Sequence, residues 1–440
     1  MEKSFDVKNW YKEKFDELAI AAGLGNNNIM SYQKLAVDEF MLADFPTRKN
    51  EEWKYTDVKP ILKEKFIPVS GLEFSKIDDG FVKSKLMNLK DAYLVVFYNG
   101  QFVADLSDKC ESKSYYVGSL NQYESISHSD LKGVFSRKNK NVTAFDYLND
   151  TFASDGFVLD ISNNTKVDKP VQVLFINGHE NENVFSTPKI FIKLGKSSQA
   201  EVIVNFVGYS SLEYFINLNT QLFLGENSVL NFVKIQDESG NSYHIDKTEI
   251  TQKADSTINH YNLSFGSKIY RMDLNANLEG ENAECNYNGL YLGNDSQLID
   301  NHTFVNHAVA NCRSNEIYKG ILDDSSRGVF NGKILVEKDA QKTNAYQSNK
   351  TILLSDKARI DTKPQLEIFA DDVKCSHGAT IGRLDDTALF YIISRGIPSD
   401  IAKSMLIRAF ANDVIEKINI DELKEQLNHK IFQHLHRVEI

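Results

Sequence analysis

The chain has 440 residues, 42% hydrophobic and 25% charged, with a formal net charge of −11. That length exceeds what one compact core usually holds, so two or three parts or a repeat architecture are expected. The acidic balance and the lack of any long Lys/Arg run exclude nucleic acid as a general partner, because a phosphate backbone needs a basic footprint.

The first part reads as helical. Trp10, Phe15, Leu18 and Ala22 follow a three-to-four spacing that stops at Gly23, Gly25 and the polar Asn26-Asn27-Asn28. A second helix fits Leu35, Val37, Phe40 and Met41, closed by Phe45-Pro46. The segment Pro46 to Asp57 is dense in charge and aromatics. The simplest reading is a polar loop that Trp53 and Tyr55 anchor on a core. Asp91 to Phe102 suggests a short hairpin turning at Asn99-Gly100, and Tyr115 to Asn149 is mixed.

From about Gly156 the periodicity changes to alternation, as in Val171-Gln-Val-Leu-Phe-Ile176 and Ala200-Glu-Val-Ile-Val-Asn-Phe-Val207. Polar turns punctuate these runs at Gly195–Ser198, Gly225–Ser228, Lys253–Ser256, Gly280–Ala283 and Gly293–Ser296. Further turns stand at Asp323–Ser326, Lys338–Gln341, Ser355–Ala358 and Ala370–Val373. Their spacing is about 14 residues, sometimes doubled, which predicts a solenoid of strands with two units in each coil of about 28 residues. Two residues past the last turn position, at eight of these nine turns, stand Ala200, Leu230, Ile258, Cys285, Leu298, Thr343, Ile360 and Cys375, expected to form one inward column. Asparagine at the corners suits the left-handed backbone of tight turns. The expected fold is therefore mainly β, a parallel, right-handed β-helix; the hexapeptide repeats of left-handed transferase helices are absent.

After Leu384 helical spacing returns. Asp385 to Ser394 stops at Arg395-Gly396 with Pro398 beyond it. A second helix fits Ile401 to Ile418, and a third runs from Glu422 to His436. The expected division is residues 1–155 helical and mixed, 156–384 β-helix and 385–440 helical. The helical ends are expected to cap the open solenoid core.

Several chemistries have no motif here. There is no Gly-x-x-x-x-Gly-Lys-Ser/Thr loop, no Gly-x-Ser-x-Gly, no His-Glu-x-x-His and no Cys-x-x-Cys. His302 and His307 are five apart, on opposite faces of a strand, which argues against a shared metal. The four scattered cysteines, Cys110, Cys285, Cys312 and Cys375, suit a reducing compartment. Met1 to Asp6 lacks the apolar stretch of a secretory signal, and the longest apolar run, Ala92 to Tyr98, is strand-sized. A cytoplasmic location is expected. One segment stands out, Val373-Lys-Cys-Ser-His-Gly-Ala-Thr380, where Cys375 and His377 share one strand face. Thiolate and imidazole suit iron, zinc or iron–sulfur centres, yet two ligands are not a site. Either the pair is a buried Cys beside a hydrogen-bonded His, or another chain supplies the remaining ligands.

Two stretches resemble the SufB/SufD family of iron–sulfur cluster assembly scaffolds. Arg48-Lys-Asn-Glu-Glu-Trp-Lys-Tyr-Thr-Asp57 is similar to the N-terminal signature of its SufD branch. Lys363-Pro-Gln-Leu-Glu-Ile-Phe-Ala-Asp-Asp-Val-Lys-Cys-Ser-His-Gly-Ala-Thr380, continuing into Leu389 to Ile397, resembles the C-terminal signature. The resemblance implies a non-enzymatic scaffold subunit that pairs with SufB through the β-helix and with the SufC ATPase through its C-terminal helices, from Ile397 to Lys417. It implies a transient iron–sulfur cluster at the SufB interface with His377 as ligand and Cys375 beside it in a less defined role. No tightly bound cofactor is implied, reduced flavin entering only at the level of the complex, and the isolated chain is expected to form a homodimer. The competing readings are a carbohydrate-active β-helix enzyme, which would need clustered carboxylates or a basic residue on an outer face, and a generic β-helix assembly module.

Overall fold

A computed structural model of the chain describes residues 6–21, 28–69, 77–110, 112–124, 131–135 and 141–434. Its centre is a solenoid of two sheets whose strands alternate along the chain, each pairing in parallel with the strand two positions on. Sheet A carries Tyr214–Leu224, Ser242–Gln252, Ile269–Leu278, Leu298–His307, Arg327–Val336 and Arg359–Ile368 in spatial order. Sheet B carries Gln199–Gly208, Val229–Asp237, Thr257–Ser264, Glu284–Gly293, Arg313–Leu322, Asn344–Leu353 and Lys374–Gly382. Val229 pairs with Thr257, and Tyr214 with Ser242, so one coil takes 28 residues at these places, as the punctuation predicts. The sheets also take in Tyr93–Tyr98, paired with Val171–Asn177 and turned back at Asn99-Gly100 into Gln101–Phe102.

The corners are where the polar punctuation stands. Ser197, Asn227, Asp255, Asn282, Asp295 and Asp324 all have positive φ, between 48° and 59°. The short side chains of Asn and Asp tolerate that region best, which explains their frequency at the corners. A serine one or two residues on closes the turn: Ser198, Ser228 and Ser326 each donate a hydroxyl to the carbonyl three residues back at 2.7 Å.

The expected inward column needs correction at three places. Ala200, Leu230, Ile258, Cys285 and Cys375 do stack in register, with Ser314 and Ala345 filling the gaps. Leu298 and Ile360 belong to sheet A, where they pair with Ile269 and Gly328. Thr343 is a turn-closing residue whose hydroxyl donates to the Ala340 carbonyl at 2.8 Å. A count from the turn cannot tell the two sheets apart, because corners on both sides use the same residues.

The helical parts lie along the flanks instead of closing the ends, which corrects the expected capping role. Helices Val7–Ala21, Asn28–Leu42 and Ala144–Phe152 bring Tyr11, Phe15, Phe40 and Phe152 against Phe185 and Phe215 on the outside of sheet A. The predicted stop from Gly23 to Asn27 lies outside the described residues, and Asn28 opens the second helix. Helices Ser399–Ile415 and Asp421–His434 lay Ile407, Ala411, Val414, Leu427 and Ile431 on Ile203, Val233, Ile235 and Leu263 outside sheet B. The cause is the sheets themselves: strands such as Val171–Asn177 are buried on both faces, so the outer apolar residues need cover along the length. The helix Asp386–Ile393 lies between, packed on the following helix, with Asp385 accepting from the Thr387 and Ala388 amides.

Inside the lumen, large polar side chains sit opposite glycines. A Cβ on Gly289 would meet the Tyr318 ring, and one on Gly332 would meet the Gln347 amide. Gly289→Ala is therefore expected to overpack the core and cost about 1–3 kcal/mol. Urea unfolding checks this; an unchanged midpoint would mean that Tyr318 has room to move.

Candidate functional site

The segment Val373–Thr380 lies on the last strand of sheet B. Among the described residues, Lys374–Gly382 pairs only with Asn344–Leu353, and its other edge is open. Cys375 is in register with Ala345, and His377 with Gln347, both at inward positions. Cys375 is half-buried with Ile334, Val336, Ala345 and Ala370, and burial raises its thiol pKa. His377 is exposed although it points along the inward column, because among the described residues no further coil stands over it. The structure thus separates the sequence pair: Cys375 packs at the rim of the core and His377 is exposed on the last strand. Among the described residues, no three His, Cys, Asp or Glu side chains converge to hold a metal ion. A cluster held at His377 as cargo would draw most of its ligands from another molecule.

The same end is apolar where a finished surface would be polar. Phe369, Ile381 and Ile368 on or beside the last coil are exposed, as are Phe390 (73%) and Tyr391 (56%) on the helix that follows. Within the segment Ile397–Lys417, Ile407, Ala411 and Val414 are buried against the solenoid while Met405 faces solvent.

The charged aromatic segment Arg48–Asp57 forms a strap on sheet A. Trp53 is buried, stacked on Phe145 with ring centroids 5.9 Å apart, and the Arg271 guanidinium lies 3.7 Å from its ring centre. Tyr55 lies under Arg327, at 5.4 Å. The buried Arg271 donates to the Glu52 carbonyl at 2.8 Å, to Asp300 at 2.6 Å and to Asp273 at 2.8 Å. Thr56 donates its hydroxyl to Asp300, which is fully buried. Burial alone would raise the Asp300 pKa, but His302 and Arg271 hold it well below the usual carboxylate range. His302 is pushed down by burial and by Arg271, yet Asp300 and Glu52 carry it above the ordinary histidine value. Beside this cluster is a cleft of about 250 Å³ lined by Trp53, Phe145, Lys247, Arg271, His302 and Asn331. The carboxylates that line the cleft are each paired: Asp273 with Arg271, Glu52 with His302 and Asp146 with Lys247.

His302 and His307 do face opposite ways: His302 joins this outer cluster, and His307 is buried 2.9 Å from the Ser314 hydroxyl. Sequence reasoning missed Arg271 and Asp300, whose partners Glu52 and Thr56 lie more than 200 residues away.

Comparison with known proteins covers nearly the whole chain. A family model described as SUF system FeS cluster assembly, SufBD core domain, matches residues 175–410, and one described as SufBD protein N-terminal region matches residues 6–173. The chain is 31% identical to the iron–sulfur cluster assembly protein SufD of Escherichia coli, over 91% of each chain. It is 28% identical to an iron–sulfur cluster assembly SufBD family protein of Synechocystis, over 93% of this chain and 92% of the relative. With SufD of Bacillus subtilis it shares 26% identity over 64% of each.

The strap geometry carries a stability prediction. Asp300→Asn removes a buried charge from Arg271 and His302 and should cost about 3–5 kcal/mol at neutral pH. The folded state favours ionised Asp300, so this contribution is present above about pH 4 and is lost as pH falls further. The stability gap between wild type and variant, from urea unfolding at several pH values, should narrow in acid. A gap independent of pH would place the cost in packing.

Proposed function

The chain belongs to the SufBD family of iron–sulfur cluster assembly proteins, and on that premise we propose that it acts as the SufD-type scaffold subunit of a SUF complex. Its work is in iron–sulfur cluster assembly; as a scaffold it binds and positions, and ATP hydrolysis falls to a separate SufC subunit. The observation that carries the reading is the unfinished end of the solenoid. His377 stands on an open edge strand among exposed apolar residues, where a second chain would both cover the surface and complete a ligand set.

A SufB-type partner with its own β-helix is the fitting occupant, because strand edges and apolar rims of the same pitch can meet end to end. Assembly would bury His377 beside the partner's ligands and give the cluster a site out of bulk water. Cys375, held in packing with a raised thiol pKa, takes the supporting part. SufC would dock on the exposed sides of the helices from Ile397 to Lys417, whose other sides are spent on sheet B. In isolation the same open end would join two copies as a homodimer. Among the described residues, no helix is long and apolar enough to cross a membrane.

Co-expression with SufB and SufC should give a stable complex that accumulates iron and sulfide under anaerobic reconstitution. His377→Ala should leave folding and co-purification intact and lower the cluster yield. Failure to associate with either partner would overturn the scaffold reading, and an undiminished yield in the variant would remove His377 from the ligand set.

A further inference from the structure

One inward column of the solenoid is polar where its neighbour is not. In sheet B, Phe232, His260, Tyr287, Glu316, Gln347 and His377 stack in successive coils. Two residues earlier on each strand, Leu230, Ile258, Cys285, Ser314, Ala345 and Cys375 form the mostly apolar column. Polar groups buried in an apolar lumen are costly unless hydrogen-bonded. Some of these are satisfied: Gln347 donates its amide to Glu316, and Thr303 from sheet A stands beside the same carboxyl. Others are not. Among the described residues, the Tyr318 hydroxyl, one oxygen each of Glu316 and Gln347, and both ring nitrogens of His260 find no hydrogen-bond partner, although all four side chains are buried.

These side chains stand at neighbouring inward positions on successive strands of sheet B, from Thr257–Ser264 to Asn344–Leu353. Deeper in stand the buried Lys234–Asp246 pair and the Tyr270–Asn262–Asn301 hydrogen bonds. At the other end the column continues in register from Gln347 to His377 on the last strand. Gly289 and Gly332 make the room in which the Tyr318 ring and the Gln347 amide lie. A buried water needs two to four polar partners, and such atoms supply them.

The groups facing Glu316 are Tyr287 and Cys285 from the preceding strand of sheet B, Tyr318 on its own strand, Gln347 from the following strand and Thr303 across the lumen. None of these is a cation, and burial pushes the Glu316 carboxyl up to about 7.

We propose that this part of the lumen holds ordered water among His260, Tyr318, Glu316 and Gln347, and that Glu316 stores a proton there which exchanges through the open end at His377. Release breaks the carboxyl O–H bond: the proton passes to the adjacent water and leaves a carboxylate, with no electron transferred. Reloading is the reverse. The inference goes beyond cluster assembly, and each readout below is taken on the full chain without partners.

Infrared spectra of the wild type should contain a protonated carboxyl band that fades as pH rises through about 7. Glu316→Gln should lack the band, and Glu316→Asp, a second variant, should shift it. No such band in the wild type, or the same band in E316Q, overturns the assignment. Oxygen-17 relaxation dispersion should detect long-lived internal water that decreases in Tyr318→Phe; an unchanged signal overturns the water sites. Hydrogen–deuterium exchange of the carboxyl band should slow in Gln347→Leu, and an unchanged rate overturns exchange through the open end.

Discussion

Everything in this molecule follows from parallel stacking. Each coil pairs its backbone with the coil before and after it, and each inward side chain is covered by the one in register above. Such a core can lengthen without thickening, which is how 440 residues avoid the limit on a single compact core. It also has a consequence that no internal packing removes. Among the described residues, the last coil has an unpaired edge and uncovered inward residues, and in this chain that coil carries His377.

The helical layers show which surfaces the chain covers by itself. Both are spent on the flanks, where the outer faces of the sheets are apolar along their length. The strap around Trp53 fastens one layer through the buried Arg271–Asp300 pair, a contact that is costly to break from one side. The end at Lys374–Gly382 receives no such cover, and exposed Phe369, Phe390 and Tyr391 gather there. The proposed function assigns this apolar end, with the exposed His377 beside it, to a second chain.

Much of the architecture was legible in the sequence because strand alternation and corner chemistry are local. Asn227, Asp255 and Asn282 occupy left-handed corners as their residue types suggest, and the helices after Leu384 fall where their spacing puts them. What was not legible depends on which sheet a strand joins. Leu298 and Ile360 looked equivalent to Leu230 but lie on the opposite wall, and Thr343 closes a turn. The Cys375–His377 pair could be found from its spacing, yet only the fold shows that one residue packs while the other stands exposed. The polar column His260–Tyr287–Glu316–Gln347 lay two residues from the column read in the sequence. Its members recur with the coil period, but their variety of side chains hides the repeat.

The most direct test of the central claim, that the open last coil is the docking face for a second scaffold chain, is amide hydrogen exchange with and without a SufB-type partner. An edge strand with one neighbour exchanges through local opening, and a second neighbour suppresses that opening. The account predicts that amides of Lys374–Gly382 gain protection in the complex while those of central strands such as Ile269–Leu278 stay unchanged. A stable complex in which Lys374–Gly382 exchanges as fast as in the free chain would contradict it.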